Sequence, residues 1–188
     1  MNSRKNNRLE FYDYSQNGAY FVTICAKDKQ KIFWDNQQCS VGAVSGRPQD
    51  KQKIFWNNQP YFVGDGAHDV PQIRLSVYGK IVNDEIIKSN EIYNYIKVEK
   101  YVIMPNHIHL IINVQNVDRG TSRAPSRTNE IIPSFISMLK RFTNKKCGEK
   151  IWQRSFHDHV IRNQADYNRI WEYVDTNAIK WESDCYYN

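Results

Sequence analysis

Two histidines one residue apart, His107 and His109, sit inside the run Tyr101-Val102-Ile103-Met104-Pro105-Asn106-His107-Ile108-His109-Leu110-Ile111-Ile112-Asn113. The residues around them read as a buried β-strand. Side chains on a strand alternate between faces, so the two imidazoles point the same way, while Ile108, Leu110 and Ile112 take the opposite, core-facing side. Two imidazoles side by side make half of a metal site. Pro105-Asn106 is a turn signal, which places the pair at the start of its strand, where a ligand can reach. Such a triplet alone is more often a pair of solvated or hydrogen-bonded histidines than a metal site. Its meaning rests on what the rest of the chain brings to it.

A second pair lies near the C-terminus. Tyr173 and Asn177 are four residues apart in a helical pattern and share one face of it. A phenol can act as a nucleophile, and an amide oxygen can serve as a third ligand to a hard divalent cation. The alternative is two surface residues of an amphipathic helix. Tyr167 competes as a nucleophile, but it is six residues from Tyr173 and on another face. A second His-x-His, His157 and His159, falls on a different strand and reads as structural or as a phosphate contact.

These residues need elements to hold them. Tyr20 to Ala26, after Asn17-Gly18, reads as a first strand. Residues 28–74 read as an insertion, rich in Gln, Asn, Gly and Asp, with a near-repeat of Asp28 to Trp34 at Asp50 to Trp56 that is expected to form a β-hairpin. Two copies are too few for a solenoid. Leu75 to Ile92 turns helical, with Ser76 as N-cap and Val77, Ile81, Val82, Ile86 and Ile87 as its stripe. Tyr95 to Met104 and the histidine strand to about Val114 form a hairpin, and residues 115–129 read as a linker. A second helix starts at the N-cap candidate Asn129, carries Ile131, Ile132, Phe135, Ile136, Leu139 and Phe142, and stops at Gly148. Its lysines and Arg141 complement the helix dipole or face phosphates. A fourth strand is expected from Ile151 to Ile161, and a last helix from about Gln164 to Trp181 with Ile170, Val174, Ala178 and Trp181 facing the core. The order β-α-β-β-α-β is the ferredoxin-like split β-α-β: an α+β fold with a four-stranded antiparallel sheet, two helices on one face, and the histidine strand central.

The 188 residues read as a single domain, 1–188, and 40% hydrophobic content supports a core. A net charge of +6 favours a polyanionic partner without requiring one. Cys25, Cys39, Cys147 and Cys185 match no zinc spacing and read as reduced cysteines of a cytoplasmic protein. The polar start lacks the apolar core of a signal peptide, and no apolar run reaches membrane-spanning length, so no membrane partner is expected.

The chain resembles the IS200-like single-tyrosine transposases with a paired-histidine (HUH) motif, and most of all their repeat-associated (REP-associated) branch. The resemblance is carried by Tyr12 to Thr23, Tyr101 to Ile112, Trp152 to Asn163, and Asp166-Tyr167 through Trp171-Glu172-Tyr173 to Asn177 and Lys180-Trp181. It implies that His107 and His109 are metal ligands, that Tyr173 is the nucleophile, and that Asn177 is a polar third ligand. It further implies a divalent metal, Mg²⁺ or Mn²⁺, and a partner that is single-stranded DNA with a hairpin. The implied reaction is strand cleavage and transfer through a 5′-phosphotyrosine. Ala178 departs from the family, whose members commonly have Pro there. Other readings are a catalytically silent hairpin-binding protein, a replication or conjugation nickase, and an RNA-binding module. The third-histidine motif of the nickases and the aromatic strand motifs of the RNA binders are both missing. The sequence leaves open monomer or homodimer, and with it whether Tyr173 completes its own site or a partner's.

Overall fold

The computed structural model describes residues 16–35, 54–56, 59–61, 74–115 and 131–187. β1 spans Gly18–Cys25, β2 Ile54–Trp56, β3 Gln59–Tyr61, α1 Val77–Ile92, β4 Ile96–Ile103, β5 His107–Val114, α2 Ile131–Cys147, β6 His157–Ile161 and α3 Gln164–Thr176. The main sheet has four strands in the order β4-β5-β1-β6, and every pairing is antiparallel. This is the expected α+β, split β-α-β order, with the histidine strand β5 at the centre. β2 and β3 pair as a separate two-stranded hairpin, so the second copy of the near-repeat contributes its last three residues to a strand.

The alternation of β5 builds the two faces of the molecule. Ile108, Leu110 and Ile112 join Tyr20, Val22 and Ile24 of β1 beneath α1 and α2, packed against Val82, Ile86, Ile132, Phe135, Ile136 and Leu139. The opposite face carries His107 and His109, with Ile111 packed against Ile170 and Val174 of α3. Burying an aliphatic side chain of this kind contributes roughly 1.5–3 kcal/mol. A sheet covered on both faces therefore holds its central strand rigidly.

Local signals set the element ends. Ser76 caps α1 by accepting from the Gly79 amide. Its stripe is rotated from the expected one: Val77 is 72% exposed, while Gly79, Val82, Glu85, Ile86 and Ser89 are buried. The cause is Gly79, which brings the helix against the Phe33 carbonyl, leaving no room for a Cβ there. Glu85 tolerates burial because Lys146 pairs with it at 2.6 Å. In α2 the expected apolar stripe is buried except Phe142, which is 40% exposed. Gly148 follows at φ +74, the left-handed conformation that ends helices. Asn129, the expected N-cap, lies outside the described residues, as does all of Met1 to Ser15.

The first residues of the Gln- and Asn-rich segment are part of the core. Phe33 is fully buried against Trp152, and Trp34 Nε1 donates to the Ile103 carbonyl at 2.7 Å. Strand structure in the 151–161 region starts late: Trp152 makes a single bridge to Ala26, and β6 begins only at His157. Lys140 holds the intervening turn by donating to the carbonyls of Gln153 and Ser155 at 2.8 Å. Among the described residues no helix is long and apolar enough to cross a membrane.

Candidate active site

β5 and β1 present the first parts of the site. Thr23 lies directly opposite His109, and Cys25 opposite His107. Both imidazoles are buried, with 0% and 1% of their surface exposed. The expected open approach from the strand start is therefore closed. The chain beyond α3 covers it: the Tyr186 ring lies 4.6 Å from the His107 ring, and Trp181 lies 6.0 Å from it.

The ring nitrogens follow a definite order. Asn106 Nδ2 donates to the Tyr186 carbonyl, which turns its Oδ1 toward His107. That oxygen can only accept, so His107 Nδ1 carries the proton of their 2.8 Å bond. His107 Nε2 is then a lone pair, and it faces His109 Nε2 at 2.9 Å. His109 Nδ1 lies 2.8 Å from the Thr23 hydroxyl, which can donate or accept. With Thr23 donating, His109 Nε2–H bonds His107. With Thr23 accepting, both Nε2 lone pairs turn into one space, as a cation would require. Thr23 is thus the hydroxyl that permits either tautomer. Burial pushes the His107 pKa down to about 4, with the Asp184 charge opposing, and pushes His109 well below the usual imidazole range.

α3 brings the other half. Asn163 caps it by accepting from the Asp166 amide, and Ile170 and Val174 seat it on the sheet. Tyr173 is 38% exposed and reaches the histidines from the rim. Its Oη lies 3.3 Å from His109 Nε2 and donates to Asp184 Oδ2 at 3.2 Å. The phenol pKa is raised, first by burial and then by the Asp184 charge. Asn177 is 3% exposed; its Nδ2 donates to Asp184 Oδ2 at 2.8 Å, and its Oδ1 has no hydrogen-bond partner among the described residues. A buried amide oxygen without a partner costs about 1–3 kcal/mol. It is the kind of oxygen a hard cation takes as a ligand, and its amide is tied to Asp184, whose carboxylate lies in one group with the two imidazoles. Among the described residues, ligand atoms of His107, His109 and Asp184 lie within 4.8 Å of one another, close enough to hold one metal ion.

His107, His109 and Tyr173 thus converge, and Asn177 joins them through Asp184. The other candidates do not. Tyr167 Oη is tied to Glu99 Oε2 at 2.8 Å. His159 bonds Asp166 at 2.7 Å on the exposed end of α3, and His157 sits with it on β6. Three members were missed in the sequence: Thr23, Asn106 and Asp184. The first two lie in the first strand and in the turn before the histidines, but their roles depend on strand register and on a carbonyl from residue 186. Asp184 follows the last helix with no periodic signal at all.

No protein-family model matches the chain. The chain is 28% identical over 204 residues to an uncharacterised protein of Haemophilus influenzae, an alignment covering 100% of this chain and 94% of that one. It is 35% identical over 85 residues to the REP-associated tyrosine transposase of Escherichia coli (strain K12), 45% of each chain. The match thus spans less than half of that transposase. A solved structure of a REP-associated tyrosine transposase bound to a REP hairpin shares the fold. Its TM-score is 0.56 at 18% identity, covering 93% of this chain and 74% of that one. This chain resembles the REP-associated tyrosine transposases. The likeness extends from the sequence blocks to the four-stranded sheet and its helices.

Proposed function

We propose that this protein is a transposase that cleaves and rejoins single-stranded DNA beside a hairpin, with Tyr173 as nucleophile. The single observation that carries this reading is the approach of Tyr173 Oη to within 3.3 Å of His109 Nε2, beside a buried histidine pair. The resemblance to the REP-associated transposases supports it, as does the binding of one of them to a REP hairpin.

His107 and His109 would hold a divalent ion, Mg²⁺ or Mn²⁺, with Asn177 Oδ1 as the oxygen ligand. Bound there, such an ion supplies Lewis-acid polarisation of the scissile phosphate and offsets charge on the leaving oxygen. Imidazole donors favour Mn²⁺, because Mg²⁺ prefers oxygen. Tyr173 is exposed at the rim while His107, His109 and Asn177 are buried, so a phosphate approaches it from solvent. Its Oη attacks phosphorus in line. The Oη–P bond forms, the P–O3′ bond breaks, the phenol loses its proton and the 3′ oxygen gains one. The 5′-phosphotyrosine keeps the phosphodiester energy, so a 3′-OH from another strand reverses the step without ATP. The +6 net charge favours the polyanion.

The test mixes the protein with end-labelled single-stranded hairpin DNA from its own genomic flanks, with Mn²⁺ or with EDTA. A denaturation-resistant adduct is expected, carrying the 3′-labelled fragment, dependent on metal and lost in Tyr173→Phe. An adduct that survives in Tyr173→Phe removes the assignment of the nucleophile. A gel shift with no adduct in any condition supports a silent hairpin-binding protein instead.

A further inference from the structure

The segment after α3 does more than cover the histidines. Asp184 reaches back into the site, and its two carboxylate oxygens are held by different groups. Oδ1 accepts the Tyr186 amide at 2.7 Å, and Oδ2 accepts the Asn177 amide at 2.8 Å and the Tyr173 hydroxyl. The carboxylate is therefore oriented before any ion arrives. An oxygen of it falls within the same 4.8 Å group as the two imidazoles.

A second observation points to a ligand at this place. Asn177 spends its Nδ2 on Asp184 and leaves Oδ1 buried and unpartnered among the described residues. One amide thus holds the carboxylate with one end and offers an oxygen with the other. Two neutral imidazoles and an amide bring no charge to a divalent cation. In a space this buried, a cation needs an anionic partner. Among the described residues, Asp184 is the carboxylate within reach.

We propose that Asp184 is a ligand of the metal ion at His107 and His109, so that ion binding fastens the 181–187 segment onto the sheet. The inference rests on the metal site of the proposed function and extends it. The site becomes two imidazoles, one carboxylate and one amide, a donor set suited to Mn²⁺ and its transition-metal neighbours. The segment's other anchors are the Asn106 Nδ2 bond to the Tyr186 carbonyl, Lys31 over the Tyr187 ring at 4.9 Å, and the rings of Tyr186 and Trp181 packed on His107 and Trp34. A metal bond is expected to add to these and to hold the segment more firmly.

The test uses the full chain without DNA. Mn²⁺ is titrated in and the free ion is read by its electron paramagnetic resonance signal. Asp184→Asn keeps the shape and an acceptor oxygen but removes the charge, and is expected to weaken Mn²⁺ binding about tenfold or more. His107→Ala is expected to abolish it. In the unaltered protein, Mn²⁺ is expected to slow amide hydrogen exchange across Trp181 to Tyr187, a readout that needs no variant. Unchanged Mn²⁺ affinity in Asp184→Asn, or no added protection of the segment, overturns the role of Asp184 while leaving the histidine pair standing. Mn²⁺ binding that survives His107→Ala overturns the metal site itself, and this inference with it.

Discussion

At the scale of single residues, the site depends on imidazoles that stay neutral. His107 is pushed down to about 4 from an ordinary 6.5 because burial penalises its charged form. The unfolded chain therefore binds more protons than the fold between those values. Stability contributed by the neutral pair is fully present above about 6.5 and is lost as pH falls toward about 4. For His107 the loss falls across that window, as the unfolded imidazole takes up a proton that the buried one refuses. Urea unfolding of the metal-free protein should show it, and the slope should flatten in His107→Gln. Equal slopes in the two proteins would show that His107 is not the titrating group. Thr23 offers a second check. Thr23→Val keeps the volume but removes the hydroxyl bonded to His109 Nδ1. Mn²⁺ affinity is expected to fall by about 10–100-fold, the usual effect of removing a group that orients a metal-binding histidine. An unchanged affinity would mean that packing alone fixes the ring. The histidine pair was legible in the sequence because a two-residue period on a strand settles which side chains share a face. The hydroxyl and amide that tune it were not, because cross-strand register is set by the whole sheet.

At the scale of elements, the last helix was legible in its stripe and less so in its end. Ile170, Val174 and Ala178 face the sheet as their spacing dictates. The regular helix stops at Thr176, not at Trp181, and residues 177–187 run back over the histidines in turns. No glycine or proline marks that stop. The helical turn continues through hydrogen bonds from the Lys180 amide to the Thr176 and Asn177 carbonyls, so local sequence carried no signal of it. The first helix shows the opposite case, in which one small residue rotates a whole stripe. A Cβ on Gly79 would sit 2.2 Å from the Phe33 carbonyl oxygen. Alanine is a better helix former than glycine by about 1 kcal/mol. Gly79→Ala is nonetheless expected to destabilise the fold by about 1–3 kcal/mol, because backbone must move to admit the methyl group. A urea midpoint equal to or above that of the unaltered protein would show that the loop carrying Phe33 yields freely.

At the scale of the whole molecule, the question left open by the sequence was whose tyrosine serves whose histidines. The histidines come from β5, the tyrosine from α3 and the carboxylate from the segment that follows, and all three meet within one chain. α3 is seated for this by its own chain's sheet: Ile170 and Val174 pack on Ile111 and Val102, and Lys100 of β4 pairs with Asp175 at 2.6 Å beneath the Trp171 ring. Pulling α3 away to serve a partner would expose that apolar face and leave Lys100, which is buried, without its carboxylate. A charge stranded in that way costs several kcal/mol. The site should therefore work in cis. Tyr173→Phe and His107→Ala proteins, each inactive in the adduct assay, should remain inactive when mixed at any ratio. If the two tyrosines were exchanged between subunits, mixing would rebuild one site with a native His107 and a native Tyr173, and adduct would reappear in proportion to the mixed dimer. Its reappearance would place α3 across a subunit interface, whatever the sheet contacts within one chain favour.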